Sequence, residues 1–163
     1  MSGTERKQKR EIGMNILLFL TLLSVLLFLF WMFLSFRKPE KKEMKIGGNT
    51  LFVEVAETSM QQTKGLSGKR KLAENEGMIF VYPYPQQPTF WMYDMKFPID
   101  ILWVNERSII GIEKNVSPES GTPALRLRRY KAPSAITAVV EVQAGWSEKH
   151  NITQGSNVEY WGE

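Results

Sequence analysis

The chain has 163 residues, enough for one domain plus an appendage, and its 21 Lys and Arg against 17 Asp and Glu leave a formal charge of +4. The surplus sits in the first 46 residues, with nine basic and four acidic side chains, while the remainder is net −1; nucleic-acid binding, which needs a basic face on a folded domain, is not expected. Cysteine is absent and His150 is the sole histidine, which excludes a disulfide scaffold and a thiolate zinc site; no cofactor is expected and no metal site is assigned, although oxygen donors for a hard cation are present.

The stretch Ile12–Phe36, IGMNILLFLTLLSVLLFLFWMFLSF, carries no charge. It exceeds the roughly 20 residues that a helix needs to cross hydrocarbon. Trp31 and Phe36 stand toward one end, where interfacial aromatics are favoured. The run is longer than a signal-peptide apolar region, and Ser35-Phe36-Arg37 is a poor cleavage triplet. Residues 1–11 therefore read as a basic tail, 12–36 as an uncleaved anchor in membrane lipid and 37–45 as a charged tether. The flanks are net +2 and +3, so the Lys/Arg rule discriminates weakly. A short basic tail before a first helix commonly stays cytoplasmic, which places residues 46–163 on the extracytoplasmic side of a single-pass membrane protein.

Gly47-Gly48 supplies a turn into the alternating run Leu51, Val53, Val55. Thr58 and Gln61 have capping-box spacing for a short helix that Gly65 stops. The cluster Lys69, Arg70, Lys71 is either a solvated turn or a way of turning Arg70 onto a carboxylate. Met78–Tyr82 reads as a strand, and PYPQQP after it as a rigid loop exposing Tyr84. Thr89–Phe97 reads as an imperfectly alternating strand, broken by Pro98 and resumed over Ile99–Val104. Ile109–Val116 follows, with Gly111 marking a bulge or close approach. Leu125–Tyr130 alternates leucine and arginine like an edge strand. Ile136–Val142, a helical turn at Trp146–His150 and a last strand around Asn157–Trp161 complete the chain. About eight short strands with one or two short helices predict an all-β sandwich or partly closed barrel.

Five blocks in order, VEVAET (53–58), GLSGKR (65–70), GMIFVY (77–82), FWMYDMKFPIDILWVN (90–105) and VVEVQAG…NITQG (139–155), resemble the DUF192 family of uncharacterised proteins over residues 50–160. The resemblance implies a small β domain, often exported or tethered behind an apolar segment, with no general activity attached. Its characteristic positions fall on Gly65, Leu66, Arg70, Gly77, Met78, Phe80, Phe90, Trp91, Met92, Pro98, Asp100, Glu141 and Gly145. Two departures stand out: Asp94-Met95 where the family usually has Asn-Thr, and Val140 where leucine is usual.

Asp100 and Glu141 interrupt apolar strands, where an isolated carboxylate is costly to bury. Each is satisfied structurally, by Arg70 or by strand-end amides, or is one of a pair lining a cleft, or is exposed at a sheet edge. A converging pair about 5–9.5 Å apart would suit glycan hydrolysis. Trp91 and Trp103 read first as core, and otherwise as aromatic platforms for sugars or peptides. His150 sits on a polar turn, no serine occupies a nucleophile elbow, and no phosphate-binding glycine loop is present. The preferred reading is a membrane-anchored binding or accessory module for an envelope polymer, peptide or protein, with Trp91, Asp94, Asp100, Arg70 and Tyr84 as binding candidates. The alternative is a small glycan-directed hydrolase using Asp100 and Glu141.

Overall fold

A computed structural model describes residues 3–35 and 40–161, in two compact units that divide between residues 39 and 40. The first unit is a single helix, α1 (Gly3–Ser35). Its segment Ile12–Met32 has 21 residues of mean hydropathy 2.5, none of them buried in protein. At 1.5 Å per residue this extends about 30 Å, the thickness of a bilayer's hydrocarbon. The chain thus has one helix long and apolar enough to cross a membrane. Phe36 and residues 37–39 of the predicted tether lie outside the described residues.

The second unit is mostly β. Its strands are β1 (Lys41–Ile46), β2 (Asn49–Ala56), β3 (Glu76–Gln86), β4 (Thr89–Phe90), β5 (Ile99–Asn105), β6 (Ser108–Val116), β7 (Tyr130–Lys131), β8 (Ile136–Gln143) and β9 (Val158–Glu159). Two short helices, α2 (Ser59–Lys64) and α3 (Trp146–Lys149), stand between strands. Seven strands form one sheet in the order β6-β5-β8-β3-β2-β1-β9, and β4 pairs with β7 in a separate ribbon. The sheet is antiparallel except where β2 and β3 run parallel, joined by the crossover that holds α2. Its outer strands meet at one end: Ser108 bridges Asn157, Ile109 N donates to Ser156 O (3.0 Å) and Val158 N to Arg107 O (2.8 Å). The result is a half-closed barrel.

Strand alternation sends side chains to two cores. Inside the curl lie Leu51, Val53, Ile79, Leu102, Val104, Val140, Val142 and Trp146. On the outer face, under α2 and the loops, lie Phe80, Met92, Met95, Ile101, Trp103 and Val139. Burying a side chain of the Leu or Phe class contributes roughly 1.5–3 kcal/mol, so both cores are needed to hold a sheet of this size.

Several local expectations change. Lys41–Lys45 is not free tether: it pairs with β2 from Lys41↔Glu54 to Ile46↔Asn49, because Met44 and Ile46 alternate with charges and both are buried. The PYPQQP run does not leave the sheet. β3 continues to Gln86, with a register shift against β8 between Val81 and Gln86; β2 has already ended opposite Phe80, so Pro83 and Pro85 sit on a free edge, where a missing N–H costs little. Of the predicted strand Thr89–Phe97, only Thr89–Phe90 is strand. Leu125–Tyr130 is a 3-10 turn at Ala124–Arg126 followed by β7; Leu125 is exposed and Leu127 buried, so the leucines do not share a face. The last strand is confined to Val158–Glu159.

Candidate functional site

The two carboxylates sit on neighbouring strands of one sheet but on opposite faces. Glu141 pairs with Ile101, and Asp100 with Val142. Asp100 has the parity of Leu102 and Val104, inside the curl, whereas Glu141 has the parity of Val139, on the outer face. They share no cleft, so the geometry that two-carboxylate hydrolysis requires is not formed between them.

Asp100 is fully buried and accepts four hydrogen bonds. Asn115 N (2.9 Å) and Gly145 N (3.2 Å) reach Oδ1; Ser147 N (3.0 Å) and Ser147 Oγ (2.7 Å) reach Oδ2. These are charge-assisted bonds to otherwise orphaned amides of β6 and of the turn into α3. Asp100 therefore ties three segments together and has little capacity left for a ligand.

Glu141 is the opposite case. It is buried, with 6% of its surface accessible, and its Oε2 has no hydrogen-bond partner among the described residues. Its cross-strand neighbours are the apolar Met78 and Ile101. Burial in these surroundings pushes its carboxyl up to about 8, which leaves it mostly neutral at pH 7. Burial, and then the nearby Glu141 charge, also raise the Tyr82 hydroxyl above its ordinary value.

Glu141 borders a cavity of about 280 Å³ whose lining includes Gln62, Gly65, Phe80, Tyr82, Phe90, Trp91 and Met95. Each wall has a sequence-level cause. α2 is set by the capping box: Thr58 Oγ1 accepts from Gln61 N, and Gln61 Oε1 accepts from Thr58 N (3.0 Å). Gln62 Nε2 then donates to Ala56 O (3.2 Å) and Val81 O (3.1 Å), pinning the helix where β2 and β3 part. Gly65, with φ +49, ends the helix and packs beside Phe80. The opposite wall is segment 89–95. Ser67 Oγ donates to Tyr93 O (2.8 Å) and Gly68 N to Asp94 O (3.0 Å). Phe90 meets Phe80 edge-on at 4.9 Å and Trp103 at 5.6 Å. Beyond Trp91 the cleft opens into a groove of about 740 Å³, mostly apolar, lined among others by Met60, Thr63, Tyr93 and Arg129.

Of the sequence-derived candidates, Trp91 and Glu141 meet at this cavity. Trp91 is 41% exposed and carries the Arg129 guanidinium 4.3 Å from its ring, so it is not a core residue; Trp103, 1% exposed, is. Asp94 faces away, paired with Lys96 Nζ at 2.6 Å, in a left-handed backbone conformation (φ 51). Tyr84 is exposed on β3. Arg70 is also exposed; its neighbour Lys69 makes the ion pair, with Glu54. His150 caps α3, its ring 4.6 Å from Trp146 and Nδ1 3.1 Å from Asn49 Oδ1. No cluster of three or more candidate metal ligands occurs among the described residues. Sequence reasoning missed Gln62 and Tyr82 as site residues; their signal was the parity of Tyr82 with Phe80 and the place of Gln62 inside the capped helix.

Comparisons with known proteins agree with this architecture. A protein of unknown function from Novosphingobium aromaticivorans DSM 12444 is 30% identical with a TM-score of 0.67, over 74% of this chain and 85% of that one. A protein from Sinorhizobium meliloti 1021, provisionally labelled a transcription regulator, is 24% identical with a TM-score of 0.67, over 76% and 96%; at that identity the likeness shows the fold alone. A comparison with curated proteins gives no match. The model of DUF192 (Uncharacterized ACR) matches residues 42–160, and the chain belongs to the DUF192 family, as a domain of unknown biochemical activity.

Proposed function

We propose that this is a single-pass membrane protein presenting residues 40–163 on the extracytoplasmic side as a binding or accessory module, with the cleft between α2 and segment 89–95 as its ligand site. One observation carries the reading: Glu141 is a buried carboxyl whose Oε2 has no hydrogen-bond partner among the described residues, and it borders a cavity. A leucine there would avoid a desolvation cost of several kcal/mol, and a fold that keeps such a cost beside a cavity does so where binding is served. The groove beyond Trp91 gives a longer ligand somewhere to lie, in keeping with an envelope polymer, a peptide or a protein segment. Trp91 is the member of the sequence-derived set that takes part; Arg70, Tyr84 and Asp94 lie outside the cavity lining, and Asp100 serves the fold.

Two measurements test this. Shift mapping on the isotope-labelled full chain in detergent micelles, against a fragment library, is expected to perturb Gln62, Gly65, Tyr82 and the Trp91 indole; shifts gathered instead around α3 or Tyr84 overturn the site. Orientation is read from Ser120→Cys, a single thiol in a cysteine-free chain on an exposed loop. An impermeant maleimide is expected to label it in intact cells, and labelling only after lysis overturns the topology.

A further inference from the structure

The cavity's polar chemistry narrows what it accepts. Its titratable lining residues are Lys64, Tyr82 and Glu141. Lys64 is exposed on the last turn of α2 and makes no ion pair with Glu141 among the described residues. Glu141 therefore has no cation to hold it ionised, and desolvation keeps its proton on. A neutral carboxyl differs from a carboxylate in that it can donate. Two of the lining hydroxyls are engaged elsewhere, Thr63 Oγ1 donating to Ser59 O (2.8 Å) and Ser67 Oγ to Tyr93 O (2.8 Å), while those of Ser59, Thr89 and Tyr82 and the Gln86 amide also line the cavity. The amide donors of Gln62 go to Ala56 and Val81. The aromatic and apolar part of the lining includes Phe80, Phe90, Trp91 and Met95. At about 280 Å³, the cavity lies just under the roughly 300 Å³ at which drug-sized pockets begin, the size for one ring or one side chain.

Resting on the cleft as the ligand site, we infer that its occupant is an uncharged, flat, ring-sized group carrying a carbonyl acceptor, such as a carboxamide, which takes the hydrogen bond that the Glu141 carboxyl donates. A cationic occupant would need Glu141 ionised, and an anionic one would add a second buried charge with no counter-ion. The three possibilities differ in charge far more than in shape.

The test compares benzamide, benzylammonium and benzoate, three one-ring probes, titrated into the full chain in micelles with shifts read at Tyr82 and the Trp91 indole. Benzamide is expected to bind best, and to weaken about tenfold per pH unit above about 8 as Glu141 loses its proton. Glu141→Gln, which keeps a donor, is expected to hold benzamide within about threefold and to abolish that pH dependence; Glu141→Leu is expected to lose about tenfold, one hydrogen bond's worth. Preference for benzylammonium, tightening as pH rises through about 8, overturns the ligand class and leaves the cleft as the site. Probe shifts confined to residues away from the cleft overturn both. Should the Glu141 variants fail to fold, the wild-type charge preference and pH dependence decide alone.

Discussion

The burial of Glu141 predicts a stability that falls as pH rises. Its carboxyl is pushed from 4.5 in the free side chain to about 8 in the folded chain by loss of solvent. Sign follows from proton counting: between these values the folded state keeps a proton that the unfolded state has released. The Glu141 contribution is fully present below pH 4.5 and is lost as pH climbs through about 8. The slope is about 1.4 kcal/mol per pH unit, and the shift carries about 4–5 kcal/mol across the window. That is a large share of the ~5–15 kcal/mol that holds a typical domain together. Glu74 and Glu76 act in the opposite direction, since ion pairs with Lys149 and Lys41 lower them, so the quantity to measure is a difference. Thermal unfolding of wild type and Glu141→Gln, followed by circular dichroism of the full chain in micelles at steps from pH 5 to 8.5, isolates it. Glutamine cannot titrate, and the wild-type midpoint should fall relative to the variant by about 10–20 °C across the series. Parallel traces would refute the assignment of Glu141 as a buried neutral acid.

Asp100 predicts a change of another kind. Asp100→Ala strands the amides of Asn115, Gly145 and Ser147 in a buried site, at about 3–5 kcal/mol in all; urea or thermal unfolding measures it, and because Asp100 faces the other core, cleft binding by the folded fraction should be unchanged. The two tryptophans should separate cleanly. Trp103→Ala empties a fully buried site and should cost about 3–5 kcal/mol. Trp91→Ala, with an exposed ring touching Arg129, should cost about 1 kcal/mol or less in unfolding experiments, and should be the one that weakens binding in the cleft.

What was legible in the sequence was local. Gly47-Gly48 makes the predicted turn between β1 and β2, and Thr58 with Gln61 forms the capping box in both directions. Gly111 lies at a register shift between β5 and β6, where an added Cβ would stand 3.2 Å from Trp103 and 3.3 Å from Pro133. What was not legible depends on distant partners. Pro83 and Pro85 looked like the end of a strand because nothing in their neighbourhood says that β2 stops first. Segment 91–97 looked like a strand because its apolar residues alternate in part. Met92 and Met95 are buried without being strand, held by side-chain and backbone bonds from Ser67 and Gly68 far upstream. The candidate site suffered from the same gap. Parity within β5 and within β8 can be read along the chain, but the register that sets Asp100 beside Val142 and Glu141 beside Ile101 cannot, and a shift of one residue would turn either carboxylate to the other face.

The departure at Asp94-Met95 from the Asn-Thr that the family resemblance leads one to expect now divides into two unlike changes. Asp94 takes a positive φ, which asparagine and aspartate both tolerate better than most side chains, so that exchange preserves the bend and alters only an exposed pairing with Lys96. Met95 is buried and lines the cavity, so replacing a threonine there changes the wall itself. It removes a hydroxyl and adds a flexible thioether suited to packing against aromatic rings. With Thr63 and Ser67 already donating to backbone carbonyls, the exchange leaves the lining with one hydroxyl fewer. It also makes the walls more apolar, which raises the cost of bringing any charge, the ligand's or that of Glu141, into the cavity.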